Sequence, residues 1–276
     1  MNQRPAPPRT DLQVDVSDDQ IEFYRDNGYV VCGRITTAEE LEWLRDTYDE
    51  LVLGRPNEGL PHSIYDTTRP YGVAGDLLLG QLLRPELTVP QIAETALWRN
   101  ARRIAVQLLG LPEHDVEHWG HLVHKPARKG KLTPWHQDEG YWDPDLSYHA
   151  VGAWTPLDDA TVENGCMWFL PGSHREPIHR HRHCEGNPAI ATLELVEDID
   201  VSRAVAVPMT AGQVSFHHPR TLHYAGPNTT SGHRRAWANE FQSAPRKLDV
   251  PANRPWVRET HQAITDLYEL RRRGSH

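Results

Sequence analysis

Trp135-His136-Gln137-Asp138-Glu139 is the stretch on which the reading of this chain turns. A histidine and an aspartate two positions apart project from the same face of a strand, so both can reach one cation. A second histidine, His223, and an arginine, Arg234, follow at long range. Two imidazoles and one carboxylate form the donor set that holds non-haem Fe(II) while leaving positions open for a chelating co-substrate and O2. Arg234 lies eleven residues beyond His223. Its guanidinium fork suits the far carboxylate of 2-oxoglutarate, which it can hold through two charge-assisted hydrogen bonds.

Alone, the first pair carries little weight, because 17 histidines in 276 residues make such pairs common. His183-Cys184-Glu185 has the same spacing of histidine and carboxylate. It ends the polar run His179-Arg180-His181-Arg182-His183, which reads as a solvated loop, whereas the His136 pair opens an aromatic and apolar stretch.

The surroundings separate the two. Downstream stand Gly152-Ala153-Trp154-Thr155-Pro156, then Asn164-Gly165 and Leu170-Pro171-Gly172-Ser173-His174. Around the second histidine run Phe216-His217-His218-Pro219 and His223-Tyr224-Ala225-Gly226-Pro227-Asn228, followed by Arg234-Arg235-Ala236-Trp237, with Lys125-Pro126 ahead of the metal pair. Together these segments closely resemble the phytanoyl-CoA dioxygenase family of Fe(II)/2-oxoglutarate oxygenases, over about residues 115 to 245.

That resemblance implies a mainly β protein with helical decoration (α+β), built on the double-stranded β-helix, or jelly roll, that cupins share. It implies Fe(II) on His136, Asp138 and His223, with 2-oxoglutarate held by Arg234 and lined by Trp154 and His121. Plain core packing is the alternative for Trp154. With O2, such a site oxidises a C–H bond of a small-molecule substrate and releases succinate and CO2. Hydroxylation is expected, because related halogenases have Gly or Ala where Asp138 stands. Desaturation, cyclisation or epimerisation are alternatives, as is a cupin-like metalloenzyme that does not use 2-oxoglutarate. One departure is Ala225, where family members often place a serine. A lost neutral hydrogen bond costs about 0.5–1.5 kcal/mol, so weaker 2-oxoglutarate binding is expected.

Strand phase refines the choice of arginine. Arg234, Ala236 and Ala238 share one face and Arg235, Trp237 and Phe241 the other, so Arg234 is the one beside two small side chains. His217 and His218 must point opposite ways on a strand, and both are expected as packing or supporting residues.

Elsewhere the patterns are helical. Ser17-x-x-Gln20 and Thr37-x-x-Glu40 resemble helix starts, the first helix ending at Asn27-Gly28 before a strand over 29–32. Apolar spacing predicts a further helix over Val89 to Leu109, and a surface helix over Val257 to Arg273. Residues 54 to 86, with His62 and Tyr65, lack periodicity and read as a lid or binding loop; Tyr141 and Trp142 are further pocket candidates. The division expected is a flexible tail over 1–10 and a single domain over 11–276.

Net charge is −9 with a pI near 6.0, which argues against a general nucleic-acid or anionic-membrane partner. Basic residues cluster at Arg175 to Arg182 and Arg271 to Arg273; the first reads as a solvated loop, with an anionic substrate handle as its alternative. Three scattered cysteines make neither a zinc spacing nor a disulfide framework. No run reaches transmembrane length, and the first 19 residues lack a signal-peptide core, so a reduced cytoplasmic setting is expected. The oligomeric state is left open.

Overall fold

The helix signals at the start of the chain close into capped elements. The computed structural model describes residues 5–54, 65–70, 73, 75–260 and 262. Ser17 and Gln20 make a reciprocal capping box, so α1 (Asp18–Asn27) begins there and ends at Gly28, whose φ of 78° suits glycine. Strand β1 (Tyr29–Arg34) follows, and Thr37 caps α2 (Ala38–Val52) by accepting from the Glu40 amide.

The helix expected from Val89 starts later. Pro90–Glu94 form a 3-10 turn, Thr95 is extended, and α3 (Ala96–Leu109) begins only after it. Two caps hold that start. The Thr95 hydroxyl accepts from the Trp98 amide, while the buried Glu40 carboxylate accepts from the amides of Ala96 at 2.6 Å and Leu97 at 2.9 Å. A carboxylate there satisfies orphan donors and complements the positive end of the helix.

Strands β2 (Tyr65–Asp66) and β3 (Gly80–Leu83) precede α3, and β4 (Glu117–Lys125), β5 (Thr133–His136), β6 (Leu146–Ser147), β7 (Ala150–Pro156) and β8 (Met167–Phe169) follow it. The rest are β9 (His181–His183), β10 (Leu193–Leu195), β11 (Val205–Val207), β12 (Gln213–His217), β13 (His223–Ala225), β14 (Arg234–Gln242) and β15 (Arg246–Lys247). They form a seven-stranded sheet in the order β1-β12-β7-β14-β4-β3-β2 and a four-stranded sheet in the order β11-β8-β13-β5. All pairs are antiparallel and most neighbours are distant in sequence, as a double-stranded β-helix requires.

Alternation along β14 divides the interior in two. Trp237 and Phe241 face α2 and α3 and are fully buried with Leu44, Tyr48, Ile104 and Phe216. Ala236 and Ala238 face the smaller sheet and pack with Trp154, Met167 and Phe169. Burying each large side chain contributes about 1.5–3 kcal/mol, so this two-sided pattern fixes the register of β14 strongly.

Before α1 the chain runs along α3, with the Val14 and Val16 amides donating to Asn100 and Gln107. The C-terminal helix begins at 255 and is described to 260, so most of its expected length lies outside the described residues, as do 55–64, 71, 72 and 74 of the expected lid. Among the described residues no helix is long and apolar enough to cross a membrane.

Candidate active site

Strand pairing brings the two distant histidines together. His223 on β13 is the register partner of His136 on β5, and their rings lie 4.1 Å apart. Each Nδ1 faces a carbonyl two residues back, Pro134 at 2.7 Å and Thr221 at 2.9 Å. A ring that donates from Nδ1 keeps an Nε2 lone pair free, the tautomer a metal ligand needs. Both Nε2 atoms point at Asp138 Oδ1, at 3.5 and 3.4 Å, and the three donor atoms lie within 4.8 Å of one another.

The backbone reaches this arrangement differently from the sequence expectation. Asp138 does not continue the strand: β5 stops at His136, and Asp138 opens a 3-10 turn to Tyr141. Extended backbone at Gln137 carries the carboxylate back to the same point. His223 lies on a short strand of its own that follows the one carrying Val214, Ser215 and Phe216. The earlier strand is β12 of the large sheet, while His223 opens β13 of the small one.

Supporting contacts hold the Asp138 turn from three sides. His217, not His218, faces inward, and its Nε2 lies 2.8 Å from Asp138 Oδ2. Gly152 makes room for it, since a Cβ there would come within 2.9 Å of that nitrogen. Burial opposes ionisation of Asp138, but the surrounding imidazoles, His223 foremost, outweigh it and hold the carboxyl well below its ordinary range. The run 179–183 is not a solvated loop. In β9, His181 and His183 turn inward and Arg182 outward, because alternation on a strand governs a polar run as it does an apolar one. His181 accepts from the Gln137 amide at 3.2 Å, and His183 is held by the Ile190 carbonyl at Nδ1 and the Thr260 hydroxyl at Nε2.

Glu139 is the third support. It receives Arg220 at 2.7 and 3.1 Å and Arg254 at 2.7 Å, tying the turn to the C-terminal segment. Burial raises its pKa, and the two guanidiniums more than reverse this, leaving it below the usual 4.5. A depressed carboxylate stabilises the fold above its unfolded pKa, and that contribution fades as pH falls through the folded value. Glu139→Ala should cost about 3 kcal/mol in urea unfolding at neutral pH, since Arg254 is left buried and unpaired. The difference from wild type should shrink in acid.

The ligand cluster opens into a cavity of about 410 Å³ between the sheets. Arg234, Trp154 and His121 all line it, as do Tyr141, Trp142 and Tyr65. Arg234 is 1% exposed, and its Nε and Nη1 have no hydrogen-bond partner. Its guanidinium lies 5.3 Å from the Trp154 ring, and burial pushes its pKa down to about 10. Arg235, by contrast, is consumed by Asp158 and Asp49 on the helix side. Lys125, the cross-strand partner of Arg234, donates to the Ala225 and Gly226 carbonyls. Burial pushes His121 down to about 4, so it is neutral, with Nδ1 unpartnered.

Several lining residues escaped the sequence reading, Glu240, Thr133 and Trp256 among them. Glu240 continues the Arg234-Ala236-Ala238 phase and could have been found from it. Thr133 sits opposite Ala225 across β5 and β13. Trp256 had no local signal. It and Val257 are buried against the cavity, so the expected surface helix is in part a cavity wall.

Residues 24–236 match the family described as Phytanoyl-CoA dioxygenase (PhyH). The chain belongs to the phytanoyl-CoA dioxygenase family. It is 33% identical to the mouse protein "Phytanoyl-CoA dioxygenase, peroxisomal" over 82% of this chain and 68% of that one. Against the bovine protein of that name the match spans 38% of its length and 45% of this chain. Among solved structures, EvdO2 from Micromonospora carbonacea var. aurantiaca, complexed with 2-oxoglutarate, is 37% identical with a TM-score of 0.78, covering 90% of this chain and 99% of that one. The 2-oxoglutarate-dependent carbocyclase SnoK from nogalamycin biosynthesis is 25% identical with a TM-score of 0.65, covering 86% and 88%. This family member therefore has the double-stranded β-helix of those oxygenases as well as their sequence pattern.

Proposed function

We propose that this family member is an Fe(II)- and 2-oxoglutarate-dependent oxygenase that hydroxylates a C–H bond of a small molecule, releasing succinate and CO2. Fe(II), 2-oxoglutarate and O2 are its cofactor and co-substrates. His136, Asp138 and His223 are the residues that would hold the metal, and their two free Nε2 atoms and one carboxylate suit a divalent ion. When bound, Fe(II) supplies the activation of O2 that couples loss of CO2 from 2-oxoglutarate to oxidation of the substrate.

The observation that carries the proposal is Arg234. A buried guanidinium without a carboxylate is costly, and this one faces the cavity that the metal ligands share. A bound dicarboxylate removes that cost, with the Trp154 face beneath the guanidinium holding its plane. A cupin-like enzyme without 2-oxoglutarate would have no use for it. The aromatic lining excludes water from the site. Cyclisation or epimerisation is the second reading, favoured by the likeness to SnoK, since these outcomes need the same ligands and differ in substrate placement.

Anaerobic addition of Fe(II) and then 2-oxoglutarate to metal-free protein should give the weak visible charge-transfer band of the chelate. Bound iron without the band would overturn the proposal. The same titration tests Ala225. Thr133 lies directly across the ladder and offers a hydroxyl of its own, so Ala225→Ser should tighten 2-oxoglutarate by no more than about tenfold.

A further inference from the structure

The cavity contains a carboxyl group for which the proposed chemistry has no use. Glu240 is 7% exposed, its Oε2 has no hydrogen-bond partner, and no ion pair reaches it among the described residues. It lies six positions along β14 from Arg234, about 20 Å at 3.3 Å per residue, so the two do not neutralise each other. Its register partners are Gly152 on β7 and Trp119 on β4. A Cβ on Gly152 would lie 3.4 Å from Glu240 Oε1, so the glycine gives this carboxyl its room beside His217.

We infer that Glu240 contacts the substrate, as an uncharged acid that donates a hydrogen bond to an oxygen of a neutral, ring-bearing molecule. This assignment rests on the oxygenase reading above. Ionised, Glu240 would be a buried anion with no cation beside it among the described residues, and burial pushes its pKa above the ordinary carboxyl range. A protonated carboxyl is a strong donor in an apolar site. The remaining lining sets the substrate class. Trp119, Tyr141, Trp142 and Trp256 line the cavity, and an aromatic lining suits a ring. Arg234 is the one lysine or arginine among the described lining residues, and the co-substrate takes it. Among the described lining residues no cation is left for a phosphate or carboxylate on the substrate. The part of the substrate that enters is therefore neutral and carries a hydroxyl or carbonyl oxygen, which meets Glu240.

Three probes sharing one ring test this on the anaerobic Fe(II)- and 2-oxoglutarate-loaded protein: 4-nitrobenzyl alcohol, 4-nitrobenzoate and 4-nitrobenzylamine. Quenching of tryptophan fluorescence reads their binding. The alcohol should bind at least about tenfold more tightly than the benzoate. Glu240→Met, which keeps the bulk but not the donor, should weaken the alcohol about tenfold, and Glu240→Gln, which keeps an uncharged donor, should hold it within about threefold. Equal binding of alcohol and benzoate, indifference to Glu240→Met, or no binding of any probe would overturn the assignment. Tightest binding by the amine, abolished in Glu240→Gln, would also overturn it and make Glu240 the counter-ion of a cationic substrate. The chelate band of the wild-type sample separates the two levels. Its absence with iron bound sinks the oxygenase reading, whereas a normal band with any of those binding results sinks only the role of Glu240.

Discussion

Arg234→Leu should lower 2-oxoglutarate affinity by about 10²–10³-fold while raising the melting temperature of the protein free of co-substrate. The two effects share one cause. Arg234 is almost fully buried, and Nε and Nη1 have no partner. In the free protein an uncompensated guanidinium is therefore held out of water, and replacing it with a shorter apolar side chain relieves that cost. In the proposed function, the same guanidinium would form charge-assisted bonds to the distal carboxylate of bound 2-oxoglutarate. Losing one partner of a buried charge pair costs about 2–5 kcal/mol, which sets the affinity loss. Titration of the chelate band measures the first effect and thermal unfolding without co-substrate the second. An unchanged affinity would mean that the dicarboxylate binds elsewhere. Arg235→Leu should behave oppositely on stability, because it removes the bidentate partner of the half-buried Asp158 and leaves it only Arg45 at 3.6 Å.

Asp138→Ala should abolish tight Fe(II) binding and, with it, succinate release. Asp138 supplies one of three donor atoms and the only negative charge among them, so two neutral imidazoles would be left to hold a dication. The loss should exceed the roughly 10–100-fold that follows from removing a partner outside the ligand set. His217→Phe provides that comparison, since His217 hydrogen-bonds Asp138 Oδ2 and packs beside His223 but is not one of the three donors. Metal content after equilibrium dialysis ranks the variants. Thermal shift supplies an independent reading: at about 100 times Kd, Fe(II) should add about 2.7 kcal/mol to wild-type stability and almost nothing to Asp138→Ala. Retained iron in Asp138→Ala would transfer the ligand role to another carboxyl.

Much of the site is legible in order along the chain, because its residues sit on strands whose phase is readable. Arg234 is separable from Arg235 by the small residues that follow it at even spacing and by Trp237 and Phe241 at odd spacing. The structure explains the contrast, since β14 packs large rings against helices on one face and lines a cavity with the other. Phase also settles which of His217 and His218 can face inward only once β12 is placed beside β7. Expectations failed where a turn interrupts a pattern. Thr95 breaks the helix drawn from Val89, and the run from His179 to His183 looks solvated by composition although it is a strand with a buried face.

By itself, then, the sequence led to the jelly-roll class through its resemblance to the family, to His136, Asp138, His223 and Arg234 as the proposed metal and co-substrate residues, and to the first two helices through their capping signals. Tertiary structure alone decided what depends on elements distant in sequence. Pairing of β13 with β5 sets the two imidazoles side by side, Arg220 and Arg254 converge on Glu139, and Trp256 closes the cavity from near the chain's end. The physical reason is that these contacts arise from packing two sheets and a returning segment around one cavity, and nothing local in the chain encodes which buried groups will meet there.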